Sequence, residues 1–156
     1  MSLGYHFRPL ALHDLAFMME IERDIFSMPW SAGQMKDSLL AAHCQTWGVY
    51  SDETALLMGF GILSIVFDEA EILNIGIAKS FQRQGYGKKL LRFLLEKAAE
   101  SKVEKVFLEV PESHHAAIFL YEKAGFEKVG LRAAYYETPE GIRETAVLMR
   151  KNLDKI

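Results

Sequence analysis

A glycine-containing segment between an apolar run and an amphipathic helix constrains the fold of this chain most strongly. Residues 82–87 read Gln-Arg-Gln-Gly-Tyr-Gly, and the run before them, 71–77, is rich in β-branched residues. After the segment, leucines recur at helical spacing at positions 90, 91, 94 and 95, with charged residues mostly on the other side. The pattern predicts a strand, a glycine loop and a helix. Such a loop exposes backbone N–H groups at the positive end of the helix dipole.

The residues around the loop indicate that its ligand carries a phosphate group. Arg83, Lys88 and Lys89 add positive charge where the backbone N–H groups are exposed. A Walker loop is excluded, because Lys89 stands where Ser or Thr would hold magnesium, and Leu90 replaces the third glycine of a dinucleotide fingerprint. A tight strand-to-helix turn without any ligand is the alternative interpretation.

Composition favours one soluble enzyme domain over residues 1–156. A chain of 156 residues is about one domain, and half of its residues are hydrophobic. The net charge of −3 argues against a nucleic-acid partner. No apolar stretch of membrane-spanning length and no signal peptide is present, so no membrane association is expected. Cys44 is the only cysteine, which excludes an internal disulfide and fits a reducing cytoplasm.

Hydrophobic periodicity predicts eleven elements in the order β-α-α-β-β-β-α-β-α-β-β. Strands are expected at 6–10, 45–50, 56–66, 71–77, 103–110, 127–135 and 144–151, the last two joined by a turn at 138–141. Helices are expected at 12–25, from Ser31 to 42, from the glycine loop to about 101, and from Ser113 to Gly125. Ser31 and Ser113 are predicted N-caps and Gly125 a C′ residue. This order predicts a mixed sheet with helices on both faces.

The loop resembles the (Gln/Arg)-x-x-Gly-x-(Gly/Ala) loop of the GNAT acetyltransferases, which holds the pyrophosphate of acetyl-coenzyme A. Further motifs are similar to the bacterial RimI-type ribosomal-protein-alanine N-acetyltransferases of that superfamily. These motifs are Pro29-Trp30-Ser31, Asp68-Glu69-Ala70, Asn74-Ile75, Leu108-Glu109-Val110, Leu120-Tyr121-Glu122, Gly125-Phe126 and Arg132 ahead of Tyr135-Tyr136. The resemblance covers essentially the whole chain. It implies an α/β (α+β) single-domain GNAT fold, with a mixed sheet splayed between the fourth and fifth strands.

The resemblance also implies the reaction and the residues that bind the co-substrate. An enzyme of this type transfers the acetyl group of acetyl-CoA to the N-terminal α-amine of a protein. The acceptor expected for this chain is the N-terminal alanine of a small-subunit ribosomal protein. Backbone groups of one strand would serve the oxyanion and the pantetheine arm, and the loop would hold the pyrophosphate. The expected binding residues are Ile75, Gly76 and Ile77 on the strand, and Arg83, Gln84, Gly85, Tyr86, Gly87 and Lys88 in the loop. Gly76 has an alternative interpretation as a packing glycine beneath a helix.

His114 marks a departure from the family pattern. The family usually has Ser-Asn at this point, with the asparagine contacting the cofactor, whereas this chain has Ser113-His114-His115. A ring nitrogen of His114 could donate a similar hydrogen bond, or the side chain could point to solvent. Two adjacent histidines on a helix cannot both face one metal ion, so no metal site is expected.

Glu109 is the candidate general base. It stands in an otherwise apolar strand-like run, where partial desolvation would make a carboxylate a better proton acceptor. An N-terminal amine has a pKa near 8, so about a tenth of it is already neutral at pH 7, and the base needs only to collect protons. The alternative is an edge glutamate that pairs with a lysine such as Lys105. The resemblance places the base at Glu109.

Tyr121 is the candidate general acid. It shares a helix face with Ala117, Leu120 and Ala124, so its alternative role is that of a core tyrosine with its hydroxyl at the surface. The resemblance implies that its hydroxyl protonates the departing thiolate of coenzyme A.

The acceptor site has two candidate walls, the segment 26–30 and the pair Tyr135 and Tyr136. Five acidic residues could make the groove between them suit a basic peptide, or could simply form a solvated surface: Glu22, Asp24, Asp68, Glu69 and Glu71. A lysine side chain or a small amine, such as an aminoglycoside or polyamine, is the alternative acceptor. A non-catalytic sensor of acetyl-CoA is disfavoured, because both Glu109 and Tyr121 are present.

Overall fold

The computed structural model describes residues 4–137, 140–141 and 143–153. Within these residues the chain forms seven strands and four α-helices in the predicted order. They are β1 (Tyr5–Pro9), α1 (Leu15–Ile25), α2 (Ala32–Leu40), β2 (Cys44–Ser51), β3 (Leu57–Val66), β4 (Glu69–Ile77), α3 (Tyr86–Glu100), β5 (Lys105–Pro111), α4 (His115–Lys123), β6 (Glu127–Glu137) and β7 (Arg143–Asn152). Short 3-10 turns precede α1 and follow β4. None of the described helices combines the length and the apolar character needed to cross a bilayer. Part of the predicted turn at 138–141, residues 138 and 139, lies outside the described residues.

The strands form one mixed sheet in the order β1-β2-β3-β4-β5-β7-β6. Every neighbouring pair is antiparallel except β4 and β5, which run parallel. That parallel pairing extends only from Glu69 opposite Lys105 to Ile72 opposite Leu108. The remainder of β4 stays paired with β3 and that of β5 with β7, so the sheet opens between them. The predicted splay between the fourth and fifth strands is confirmed.

Helices cover both faces of the sheet, as predicted. Leu90, Leu91 and Leu94 of α3 are buried in a core that includes residues 106, 108 and 110 of β5. On the other face, Met18 of α1 and Met35 of α2 share a core with residues of β2 and β3. Because successive strand residues point to opposite faces, the alternate β5 positions 107 and 109 point to the face that carries α1. The fold therefore presents position 109 on the side of the first two helices.

Two predicted helix ends are confirmed. The hydroxyl oxygen of Ser31 accepts a hydrogen bond from the Gln34 N–H at 3.1 Å, and the Gln34 side chain accepts one from the Ser31 N–H at 2.9 Å. This reciprocal capping box starts α2 directly after the segment 26–30. Gly125 directly follows the C-cap residue of α4. Its φ is 101°, a left-handed conformation that favours glycine.

The prediction that Ser113 caps α4 is wrong. The cap position is His114, and its side chain makes no capping hydrogen bond. The Ser113 N–H donates instead to the Glu144 carboxylate of β7 at 2.7 Å. A carboxylate from β7 thus binds the backbone at the start of α4. No local sequence pattern could show this contact, because the two residues are far apart in the chain. The same contact, with the nearby His114, lowers the pKa of Glu144.

Candidate active site

A cavity of about 390 Å³ lies where β4 and β5 separate. Its walls include Ile75 of β4, Glu109 of β5, and His114 and Tyr121 at the start and in the middle of α4, together with residues of the segment 26–30. Glu109 reaches the cavity from the face of α1, and Tyr121 reaches it from the helix on the other face. The splay therefore brings the two predicted catalytic residues to one cavity, although they belong to opposite faces of the sheet.

Glu109 is held by an ion pair. Its Oε1 atom lies 3.1 Å from Nη2 of Arg132 on β6, and the Glu109 side chain is 20% exposed. Its strand is internal, since β5 lies between β4 and β7. The alternative of an edge glutamate paired with Lys105 is therefore wrong. Its Oε2 atom forms no hydrogen bond within the described chain, so one oxygen is anchored and the other can accept a proton.

Tyr121 combines core packing with access to the cavity. The residue is 8% exposed, and its ring meets the Phe126 ring edge-on with centroids 6.0 Å apart. Tyr121 is thus a core residue, as the alternative role states, and it also lines the cavity. A ring fixed in this way holds its hydroxyl in a defined position, which suits proton transfer.

The glycine loop joins the end of β4 to the start of α3. Gly85 is the N-cap of α3 with φ of 89°, and a side chain added there would meet no described atom within 4 Å. Gln82 ties the loop to the strand, because its side-chain amide donates to the Ile77 carbonyl at 2.8 Å. The side chains of Arg83 and Lys88, which precede and follow Gly85 in the sequence, are exposed. Backbone N–H groups at a helix start, an empty approach and two cations together suit a phosphate group.

Other loop residues have more restricted roles. Tyr86 is 2% exposed and packs edge-on against Tyr5 and Phe81, so only its backbone N–H is available to a ligand. The Gln84 side chain donates to the Ser80 carbonyl at 3.2 Å. Gly87 lies just inside α3 and is partly buried, and a Cβ there would meet only side-chain atoms at 3.9 Å.

The three predicted β4 positions differ from one another. Ile75 lines the cavity. Gly76 lies under α1, because a Cβ added there would collide with the Ile25 side chain and come within 3.5 Å of Phe26. Ile77 is buried, and its carbonyl is bound to the loop. The packing alternative for Gly76 therefore describes its surroundings well.

A buried glutamate and an asparagine support the cavity wall, and the sequence patterns did not assign them this role. Glu22 of α1 is 1% exposed and accepts hydrogen bonds from the Trp30 N–H at 2.9 Å and from the Asn74 side chain at 2.8 Å. These bonds fix the segment 26–30 against β4. The sequence contained a signal for this role. Glu22 follows Leu15, Met18 and Met19 at helical spacing, which places its carboxylate on the apolar face of the helix.

The remaining acceptor-site predictions have mixed outcomes. Phe26, Ser27, Met28 and Trp30 line the cavity as one wall. The side chains of Tyr135 and Tyr136, the predicted opposite wall, lie outside the described residues. Asp24 is exposed and lies 3.5 Å from the Lys79 ammonium, which fits a solvated surface. Among the described residues, no cluster of histidine, cysteine and acidic side chains is arranged to hold a metal ion.

A mixed sheet that opens between parallel strands beside a glycine loop and a helix start is the architecture of an acyl-CoA-dependent transferase. The sequence profile of the Acetyltransferase (GNAT) family matches residues 15–126, and the chain belongs to this family. It is an N-acetyltransferase by that membership.

Individual relatives are more specific than the family. The chain is 38% identical over 136 residues to the ribosomal protein bS18-alanine N-acetyltransferase of Haemophilus influenzae, covering 87% of this chain and 90% of the relative. The Escherichia coli enzyme of the same name is 33% identical, with 87% and 89% covered. The crystal structure of the ribosomal-protein-S18-alanine N-acetyltransferase from Escherichia coli superposes with a TM-score of 0.91 at 30% identity, covering 98% of this chain and 96% of that one. Arabidopsis thaliana NAA60 in complex with acetyl-CoA, at 20% identity and a TM-score of 0.85 over 97% of this chain and 100% of that one, shares the fold.

Proposed function

We propose that this acetyltransferase transfers the acetyl group of acetyl-CoA to the N-terminal α-amine of a protein. The acceptor is the N-terminal alanine of a small-subunit ribosomal protein of the bS18 type, which would place the reaction in the cytoplasm. One observation carries the proposal: relatives named for this activity are 33–38% identical over 136 residues, far beyond the loop expected to bind the co-substrate.

The open end of the sheet and the glycine loop fit acetyl-CoA. The backbone N–H groups from Gly85 onward, with Arg83 and Lys88, would bind the pyrophosphate. The β4 segment around Ile75, which has no partner on β5, would bind the pantetheine arm through its main chain. His114 lines the same cavity and would donate a ring N–H to the co-substrate in place of the usual asparagine. Acetyl-CoA supplies an activated thioester, so a neutral amine can attack its carbonyl carbon without a covalent enzyme intermediate.

Glu109 is proposed to take the proton from the attacking amine. Arg132 holds Oε1 and so fixes the carboxylate, while Oε2 accepts the proton directly or through a water molecule. Since an α-amine has a pKa near 8, more than two units below that of a lysine side chain, a carboxylate can deprotonate it more easily. This difference favours a protein N-terminus over a lysine as the acceptor.

Tyr121 is proposed to protonate the leaving sulfur. It reaches the cavity from α4, on the face of the sheet opposite to Glu109, so base and acid approach the gap from different sides. This separation allows the proton to be removed at the amine and delivered at the thiolate without interference between the two groups. Backbone N–H groups of β4 beside Ile75 would stabilise the oxyanion.

Peptide acetylation tests the acceptor. The purified protein is incubated with acetyl-CoA and, separately, an alanine-started peptide, the same peptide with a blocked N-terminus and a free lysine, and spermidine. Thiol release gives the rate, and mass spectrometry of fragment ions locates the acetyl group. We expect the acetyl group on the α-amine of the first peptide. Acetylation only of the lysine or only of the polyamine would refute this acceptor and leave the acetyltransferase assignment intact.

A further inference from the structure

A second groove of about 390 Å³ crosses the face of the sheet that carries α1. Ser64 of β3, Glu71 of β4 and Phe107 of β5 lie side by side in register along it. Ser64 is two residues from Ile62, which is buried under α1 and α2, so both side chains point to the same face. The groove is therefore distinct from the gap that opens toward α4, and it lies on the side from which Glu109 is reached.

The groove is continuous with the catalytic cavity. Leu108 and Glu109 line both of them. Phe107 is two residues from Glu109, which corresponds to about 7 Å along a strand, and its register partner on β4 is Glu71. An extended peptide advances by a similar distance over two residues. A peptide whose terminal amine lies at Glu109 would thus place its second or third residue beside Glu71.

The chemistry of the groove suits a long cationic side chain. Three carboxylates line it, those of Glu69, Glu71 and Glu109, and no cationic side chain of the described residues does. Arg132 pairs with Glu109, whereas the Glu71 carboxylate forms no hydrogen bond or ion pair within the described chain. Partial burial and the neighbouring Glu109 raise the pKa of Glu71, an effect that Arg132 partly opposes. An arriving cation would relieve that repulsion.

Apolar side chains form the rest of the groove's lining apart from Ser64. Val66 is 52% exposed and Val129 is 43% exposed, and both line the groove together with Phe107. Lysine and arginine bury their methylene stems on such surfaces while the charged head reaches a carboxylate. Lys105 and Arg150 lie in register with Glu69 and Phe107 but do not line the groove, so they leave its carboxylates accessible.

We propose that this groove binds the acceptor segment directly after the N-terminal residue, and that Glu71 selects a lysine or arginine at its second or third position. This inference rests on the proposed N-terminal acetylation and adds the chemistry of the acceptor that the site recognises. Glu71 acts as a specificity-determining residue, and it takes no part in proton transfer.

Matched peptides and variants test the inference. The peptides start with alanine and carry lysine, norleucine or glutamate at positions two and three, and kcat and KM are measured for each. The enzymes are the wild type, Glu71→Gln, Glu71→Lys and, as a control, Glu20→Gln, an exposed residue of α1 that lines neither cavity. Circular dichroism and thermal melts establish that each variant is folded.

We expect the wild type and the control to prefer the lysine peptide over the norleucine peptide through a lower KM. Glu71→Gln should reduce that preference about three- to tenfold, read as the ratio of KM for the two peptides, and Glu71→Lys should favour the glutamate peptide. Added salt should weaken the wild-type preference, since the contact is partly solvent-exposed. An unchanged preference in Glu71→Gln, or none in the wild type, overturns the groove inference and leaves N-terminal acetylation standing. Acetylation of no peptide by the wild type overturns both.

Discussion

The hydrogen bonds of Glu22 predict a measurable coupling between the first helix and the acceptor wall. The carboxylate is 1% exposed and serves two donors, the Trp30 N–H at 2.9 Å and the Asn74 side chain at 2.8 Å. Glu22→Gln keeps the shape of the side chain but leaves only one accepting oxygen. Whichever donor the oxygen serves, the other then faces an NH2 group. The change therefore removes a bond without creating a cavity.

The magnitude follows from those contacts. Losing one hydrogen bond to a charged acceptor and leaving a buried donor unpaired should cost about 2–3 kcal/mol of unfolding free energy. For a chain of this size, that corresponds to a fall in Tm of roughly 4–12 °C. Because Trp30 belongs to the segment that lines the cavity, KM for the acceptor peptide should rise as well.

A second substitution provides the control. In the double variant Glu22→Gln with Asn74→Asp, the side-chain oxygen of the introduced glutamine can accept from the Trp30 N–H while its amide donates to the introduced carboxylate. Both positions are then paired again. A double-mutant cycle from thermal and urea unfolding should give a favourable coupling of about 1–2 kcal/mol, with partial recovery of KM. Strict additivity of the two single changes, or a Glu22→Gln protein as stable as the wild type, would refute the role given to this carboxylate.

Three further predictions concern the catalytic residues, the loop and the groove. Glu109→Gln should lower the rate about a hundred- to ten-thousand-fold at neutral pH and recover partly as pH rises and the amine deprotonates in water, whereas Tyr121→Phe should lower kcat without that recovery. pH–rate profiles check both, and losses below about threefold in both variants would make the residues structural. Gly85→Val should weaken acetyl-CoA binding, because a β-branched residue is strained at φ of 89° and its side chain would fill the open space at the loop. Calorimetry measures the affinity, and an affinity equal to that of the wild type would contradict the phosphate-loop assignment. Because the pKa of Glu71 is raised above its ordinary value of 4.5, this group's contribution to stability is lost as pH rises from that value through the raised pKa. Glu71→Gln lacks this loss, so the Tm of the variant should gain on that of the wild type as pH rises across this range. A Tm difference that stays constant with pH would count against the raised pKa.

Local patterns in the sequence determined the order of the elements and much of the site. Alternation and helical spacing placed all eleven helices and strands, and the glycines of residues 82–87 marked the loop at the start of α3. The apolar run around Glu109 and the helix face around Tyr121 left two roles open for each residue, and the resemblance to the GNAT acetyltransferases singled out this pair, which the fold brings to one cavity. This information is local because backbone conformation and burial periodicity depend on neighbouring residues.

Tertiary structure alone decided which groups meet across the chain. The strand order β5-β7-β6 brings Arg132 of β6 within reach of Glu109 across β7. Nothing in the segment around Glu109 indicates that Arg132, and not the nearby Lys105, is its partner. Glu144 likewise binds the start of α4 from another strand, in place of the serine cap that local preference favours. Periodicity reports the face on which a side chain lies, but the strand order and the packing of helices on the sheet determine its partner. The splay between β4 and β5 is therefore a property of the assembled sheet. Beyond their short parallel pairing, β4 remains paired with β3 and β5 with β7, while β4 and β5 separate from each other.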